Sequence, residues 1–129
     1  MTKRLALIAL PMLAACATIA NAPAPLAGSK WTFVTIDGQK PVSGKAGLSI
    51  DAGRIGANVG CNGMGGELRI EASRLITGPM MSTQMYCDGL MEQERAVADL
   101  LGGSPRYSLK ANRLFLQSDQ HLAELKRVN

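Results

Sequence analysis

Residues 107–126 have the sequence YSLKANRLFLQSDQHLAELK, and their pattern indicates the fold class. This stretch holds three short runs rich in apolar residues, Tyr107–Leu109, Leu114–Gln117 and Leu122–Lys126, and polar turn residues separate them. Short runs joined by such turns are typical of antiparallel strands. The C-terminal part of the chain is therefore predicted to be a three-stranded β-meander.

The same pattern continues back to Ser29. Further runs that alternate or are rich in β-branched residues are predicted as strands, and they are Trp31–Ile36, Leu48–Asp51, Arg54–Val59, Leu68–Glu71 and Arg74–Thr77. The first ends at Asp37-Gly38, a strong signal for a tight turn between strands. The sequence thus predicts about eight strands.

Between Asp88 and Leu101 the hydrophobic period becomes helical, because Leu90, Val97 and Leu101 fall on one face. Asp88 is a candidate N-cap, and Gly102-Gly103 is predicted to end the helix in a left-handed conformation. The predicted fold class is mainly β (α+β), a small antiparallel β-barrel-like curled sheet of about eight strands plugged or flanked by one α-helix.

The N-terminus has the layout of an export signal. Lys3 and Arg4 precede the apolar segment 5–13, which is too short for a bilayer core that needs about 20 residues. The run Leu-Ala-Ala-Cys at 13–16 resembles the bacterial lipobox. Residues 1–15 are therefore predicted to be a lipoprotein signal peptide, with cleavage before Cys16 and acylation of that cysteine.

Ordinary secretion, with cleavage after Ala22, is the alternative, but it would leave Pro23 at the new terminus. The residue after Cys16 is Ala17 rather than an aspartate, which by resemblance to other lipoproteins indicates the outer membrane. Residues 16–25 then form a lipidated N-terminus and a Pro/Ala-rich tether, and residues 26–129 form one domain in the periplasm.

Charge excludes one class of function. The net charge of +4 includes Lys3 and Arg4, which leave with the signal, and the remaining charges are scattered singly. Nucleic-acid binding needs a basic stripe with interleaved aromatic residues, and this sequence has none. We expect no nucleic-acid partner.

Cys61 and Cys87 remain for the folded domain. In an oxidising compartment such a pair is most simply a structural disulfide, with two free thiols or a redox pair as the alternatives. A thiol triad of Cys61, Asn62 and His121, or a zinc site of both cysteines with His121, lacks the expected spacing of ligands or base. We therefore predict no catalytic residues, no metal and no cofactor.

Two other segments have an ordinary and a functional interpretation. The glycine-rich segment 60–66 lacks the Lys-Ser/Thr ending of a phosphate-binding loop and is predicted to be a tight turn with positive φ at Asn62, Gly63 or Gly65. Methionines cluster at 80, 81, 85 and 91, and Met64 is a further candidate member of the cluster. Core filling around the helix is the simplest interpretation, and a Cu(I) site or a methionine-lined cavity for an apolar ligand are the alternatives.

Several short motifs together resemble the META domain family (HslJ-like). They are Leu26-Ala27-Gly28-Ser29-Lys30-Trp31, Gly60-Cys61-Asn62 with Gly66, Thr83-Gln84-Met85-Tyr86-Cys87, Met91-Glu92-Gln93-Glu94, Tyr107-Ser108-Leu109 and Leu114-Phe115-Leu116. One departure is Glu67, near which members often carry aromatic residues. The resemblance covers residues 26–129 and implies a barrel-like fold with one helix, no established catalytic residues, and links to envelope stress, antibiotic tolerance or secretion. It also supports Cys61 and Cys87 as a structural pair.

The expected function is that of a non-enzymatic envelope lipoprotein whose META domain is a binding module. It would contact the membrane through its N-terminal lipid, act as a monomer, and meet a periplasmic or outer-membrane protein in stress tolerance or secretion. A carrier of a small apolar ligand or soft metal is the alternative.

Overall fold

The structure is a computed structural model that describes residues 26–128. Its elements in chain order are β1 (Ser29–Ile36), β2 (Gly47–Asp51), β3 (Arg54–Asn58), β4 (Gly63–Glu71), β5 (Arg74–Thr77), β6 (Met81–Ser82), α1 (Met91–Gly102), β7 (Arg106–Lys110), β8 (Arg113–Gln117) and β9 (Leu122–Val128). The predicted signal peptide and tether, including Cys16, lie outside the described residues. Within residues 26–128 no helix is long and apolar enough to cross a bilayer.

The strands form one antiparallel sheet in the order β3-β2-β1-β9-β8-β7-β5-β4-β6. Strand β3 also pairs with β4, from Arg54 opposite Glu67 to Asn58 opposite Gly63, so the sheet closes on itself. Eight strands make the ring, and β6 adds to β4 outside it. The predicted small antiparallel barrel with one helix is confirmed.

The interior of the barrel is filled by apolar side chains. Leu75, Leu114 and Leu116 are fully buried, and they alternate with more exposed neighbours along their strands, as the two-residue period of a strand requires. The helix contributes Val97 and Leu100 to the same cluster. The core thus joins the barrel and α1 into one unit.

The helix begins later than predicted, and Asp88 is not its N-cap. Leu90 holds that position, and no side chain caps the helix. Residues 87–90 form a turn instead, in which the Leu90 N–H donates to the Cys87 carbonyl at 3.2 Å and Gly89 has φ +78°. Because the chain turns here, helical geometry starts only at Met91.

The end of the helix also differs from the prediction. Gly103 has φ −87°, and the left-handed conformation falls on Ser104, with φ +49°. Neighbouring strand residues hold Ser104 in place, because its hydroxyl accepts a hydrogen bond from the Thr77 N–H at 3.1 Å and its carbonyl accepts one from Arg74 at 3.2 Å. These hydrogen bonds to Ser104, rather than a glycine in the left-handed conformation, fix the path of the chain after α1.

The glycine-rich segment is mostly strand, so the predicted turn at Asn62, Gly63 or Gly65 is wrong. Only Gly60 in this segment has positive φ, at +119°, and Gly63 begins β4. A Cβ at Gly66 would lie 2.9 Å from the carbonyl oxygen of Pro79. Glycine is therefore required there by the close approach of backbone, not by a turn.

Candidate functional site

Three separate sequence motifs meet at one place beside the helix. Cys61, in the β3–β4 connection, forms a disulfide with Cys87, which lies just before α1, and their Cα atoms are 5.9 Å apart. The bridge ties the segment 78–90 to the barrel. Of the interpretations left open by the sequence, the structure contains the disulfide.

The side chain of Asn62 organises this junction. Its Oδ1 accepts hydrogen bonds from the Thr83 hydroxyl at 2.9 Å and from the Met85 N–H at 2.7 Å. Its Nδ2 donates to the Met85 carbonyl and to Glu94 Oε2, both at 2.9 Å. All four hydrogen-bonding positions of the amide are thus used inside the protein. Asn62 fixes the loop and has no capacity left for a ligand.

Glu94 is the other buried polar residue of the junction, and it is 8 % exposed. Besides the contact with the amide, its Oε1 accepts a hydrogen bond from the backbone N–H of Asn62 at 2.7 Å. A buried carboxylate with two such donors is satisfied without solvent. The helical pattern did not single out Glu94 as a buried residue, although the family motif 91–94 contains it.

A groove of about 480 Å³ opens between the segment 82–86 and the helix. Its apolar lining includes Met64, Met85, Tyr86, Met91 and Ala98, and Arg95 lies at its edge. The Met91 sulfur also accepts a contact from the Cys87 N–H at 3.4 Å. Three methionines therefore line one concave surface.

The prediction that the methionines fill the core is correct for Met64, which is 5 % exposed, and for Met80, which packs against the core. It is wrong for Met81 and Met85, which are 79 % and 58 % exposed. The reason is topological, because β6 and the loop after it lie outside the closed ring of strands.

All residues from Met81 to Tyr86 are exposed, and we call them the Met81–Tyr86 surface. Tyr86 is 80 % exposed, the highest value among the large hydrophobic side chains of the described residues. Exposed apolar side chains gathered in a patch with polar neighbours often mark a contact site. Here the polar residues Ser82, Thr83 and Gln84 stand between Met81 and the pair Met85 and Tyr86. The disulfide and the Asn62 hydrogen bonds hold these side chains in a defined position.

His121 lies elsewhere, at the start of β9. Its Nδ1 is 2.8 Å from Asp37 Oδ2, and its Nε2 is 3.9 Å from Asp99 Oδ2. His121 directly precedes β9, which begins at Leu122. A second pocket, of about 580 Å³, lies between this cluster and the exposed side of α1.

Asp37 has a shifted pKa. Partial burial raises the pKa of this carboxyl, but the Leu122 N–H, which donates to Oδ1 at 2.9 Å, and then the hydrogen bond and charge of His121 bring it below its ordinary value of 3.8. Asp37 itself has φ +51° in the turn that follows β1. These bonds therefore join the turn to β9.

The structure does not assemble the thiol triad or the zinc site considered from the sequence. The sulfur of Cys61 forms a disulfide with Cys87, and the His121 ring is hydrogen-bonded to Asp37. Among residues 26–128 no group of three or more His, Cys, Asp or Glu side chains is placed to hold a metal ion. Cys16, the predicted acylation site, lies outside the described part of the chain.

Comparison with known proteins identifies the family. A family model described as META domain matches residues 24–129. The chain belongs to the META domain family. The resemblance read from the sequence motifs is thus confirmed.

Two solved structures share the fold of this META domain. One, titled only as the NMR structure of a protein, has a TM-score of 0.68 at 21 % identity and covers 77 % of this chain and 88 % of its own. The other, an NMR structure of a protein from Burkholderia xenovorans, has a TM-score of 0.65 at 18 % identity and covers 85 % and 94 %. No match is found among curated proteins. At these identities the likeness extends to the fold.

Proposed function

We propose that this protein is an envelope lipoprotein whose META domain acts by binding a protein partner through the Met81–Tyr86 surface. The observation that carries the proposal is the exposure of Met81, Met85 and Tyr86 on a segment that is tied to the barrel by the disulfide and by hydrogen bonds to Asn62. A pre-ordered apolar surface loses little conformational entropy when a partner docks. Exposed tyrosine and methionine are enriched at such contacts.

The groove between the segment 82–86 and the helix extends this surface with a concave wall. Met85 and Tyr86 belong to both, so the exposed side chains continue into the concave wall formed with Met91 and α1. Flexible methionine side chains adapt to different apolar partners. An extended apolar segment of a periplasmic or outer-membrane protein is the partner that this combination fits best.

Binding rather than catalysis is favoured by how the polar groups are used. Asn62 and Glu94 form hydrogen bonds with each other, and Asn62 also forms them with the loop, while the sulfur of Cys61 belongs to the disulfide. A catalytic nucleophile needs a free base beside it. These contacts leave no free thiol at Cys61 and no free base at Asn62 or Glu94.

The proposed location of the protein in the cell rests on its sequence. The lipobox-like residues 13–16 and the tether support acylation of Cys16 and a domain in the periplasm, held as a monomer at the outer membrane. The disulfide agrees with an oxidising compartment. Envelope stress tolerance and secretion are the processes that family membership suggests.

The experiment is crosslinking in intact cells from a photo-reactive residue placed at Tyr86. We expect one protein partner to be captured repeatedly from Tyr86 and not from Lys110, an exposed residue on β7. Equal capture from both positions would contradict the assigned surface.

A carrier of a small apolar ligand or a soft metal is the second candidate function, because Met64, Met85 and Met91 line one groove. Thioether sulfur is a soft ligand suited to Cu(I). Native mass spectrometry of the protein purified from its own host distinguishes the candidates. A bound lipid or copper ion that is lost in Met85→Ala and Met91→Ala would favour the carrier.

A further inference from the structure

A third pocket, which is polar, lies where β5, β7 and β8 meet the end of the helix. It has a volume of about 290 Å³, and its lining includes Arg74, Ser104, Arg106, Ser118 and Asp119. It shares no lining residue with the methionine groove.

The two arginines are held side by side by strand register. Arg74 on β5 is directly opposite Arg106 on β7, and Arg106 is directly opposite Gln117 on β8. Directly paired residues of antiparallel strands point to the same face of the sheet, with Cβ atoms roughly 4.5–5.5 Å apart. Two guanidinium groups therefore start from neighbouring points on one face.

Within the described part of the chain, neither arginine of this pair forms an ion pair with a carboxylate. Among the described residues, neither arginine has a carboxylate oxygen within 4.0 Å, whereas Arg69 and Arg113 each have one. Like charges placed directly opposite each other destabilise a sheet. The pairing of β5 with β7 thus contains a repulsion that an anion in the pocket would relieve.

Hydrogen-bond donors also face this space. One Nη of Arg74 donates to the Ser104 carbonyl at 3.2 Å, and the remaining guanidinium N–H groups of both arginines have no acceptor among residues 26–128. Ser118 Oγ accepts a hydrogen bond from the His121 N–H at 3.1 Å, which leaves its own proton available. Asp119 also lines the pocket, and its carboxylate repels an anion there, so the two guanidinium groups must outweigh this repulsion.

We propose that this pocket binds a phosphate group, either as free phosphate or as a phosphomonoester headgroup. Guanidinium forks match phosphate oxygens in bidentate geometry, and a phosphomonoester carries about −1.5 to −2 charges at pH 7. One water occupies roughly 30 Å³ in the liquid, so a pocket of about 290 Å³ has room for the phosphate and the first atoms attached to it.

The test is a titration of the Cys16→Ser chain with inorganic phosphate, at ionic strength held constant with NaCl and followed by amide chemical shifts. We expect saturable shifts at Ser104, Arg106 and Ser118. Arg106→Gln should weaken the affinity at least about tenfold, since it removes one of two guanidinium groups. Asp119→Asn should tighten binding.

The matched control is Lys110→Gln, which removes the same charge from the same strand outside the pocket. It should bind phosphate as the parent chain does. Equal weakening in Arg106→Gln and Lys110→Gln, or shifts that do not saturate, would overturn the proposal.

Vesicles distinguish the two sources of phosphate. Sedimentation with vesicles containing phosphatidic acid, a phosphomonoester lipid, but not with phosphatidylglycerol, would support a headgroup ligand. Saturable binding of inorganic phosphate without binding to either vesicle would support a soluble one. Absence of both overturns the site, and it leaves the proposed role of the Met81–Tyr86 surface untouched.

Discussion

Glu94 accepts two hydrogen bonds from Asn62. One carboxylate oxygen accepts the backbone N–H at 2.7 Å, and the other accepts the side-chain amide at 2.9 Å. The two residues are 32 positions apart, and both are buried. Through Asn62 the contact reaches Met85, so the helix, the start of β4 and the loop before α1 share one set of hydrogen bonds. This relationship gives the Met81–Tyr86 surface its fixed position.

Replacing Glu94 with glutamine should destabilise the domain by about 1–3 kcal/mol, because one of the two buried Asn62 donors then faces an amide NH₂ instead of an oxygen. Equilibrium unfolding in urea measures the change. Glu92→Gln on the exposed side of the same helical turn is the control, and it should stay within about 0.5 kcal/mol of the parent. Similar losses in both variants would mean that the contact has no special role.

Removing the disulfide should cost more. The cysteines are 26 residues apart, for which the chain-entropy account gives roughly 3.5 kcal/mol. The Cys61→Ser/Cys87→Ser protein should unfold at lower urea than the oxidised parent, and the reduced parent should match the double variant. Unchanged unfolding after reduction would contradict a stabilising bridge.

Much of the barrel can be predicted because the signal is local. Leu114 and Leu116 alternate with more exposed neighbours, and the turns beside them are polar, so the register of the meander follows from its own residues. The segment Gly63–Gly66 carries almost no side-chain period, and its place in β4 depends on pairing with β3. The hydrophobic period of the segment therefore cannot predict that it is a strand.

The site is less predictable than the barrel for the same reason. The meeting of Asn62 with Glu94, and of Arg74 with Arg106, depends on contacts about 30 residues apart along the chain. Family motifs pointed to the first pair without giving its geometry. Exposure of Met81 and Met85 could not be foreseen, because the sequence does not show that β6 lies outside the ring.

Asp37 should make stability depend on pH in acid. Its pKa in the folded protein lies below the ordinary 3.8, so its contribution is present above that value and is lost as the pH falls through the folded pKa. Asp37→Asn should therefore be less stable than the parent at pH 6, and the two should converge below pH 3.8. A difference that stays constant down to pH 2 would show that ionisation of Asp37 is not involved. Asp51→Asn, an exposed residue on β2, serves as control.

If Cys16 is acylated as we propose, changing it to serine should release the protein from the membrane into the soluble periplasmic fraction, because it removes the acyl chains of the proposed anchor. Fractionation of cells and metabolic labelling with a fatty acid measure this. A variant that stays in the membrane fraction would refute the lipid anchor, while the binding surface would remain to be tested separately.

The double variant Met85→Ser/Tyr86→Ser tests whether the Met81–Tyr86 surface binds a protein partner. Both side chains are exposed, at 58 % and 80 %, so the domain should keep its stability. A photo-reactive residue at Gln84, between β6 and these side chains, reports partner contact in intact cells. Val42→Ser/Ile70→Ser, which removes exposed apolar side chains elsewhere, is the matched control.

We expect the Gln84 probe to capture the same protein partner in the parent and in the control. Capture should fall at least about tenfold in Met85→Ser/Tyr86→Ser, with the urea midpoint unchanged. Undiminished capture by that variant, or an equal loss in the control, would contradict the account of this META domain as a module that binds through the Met81–Tyr86 surface.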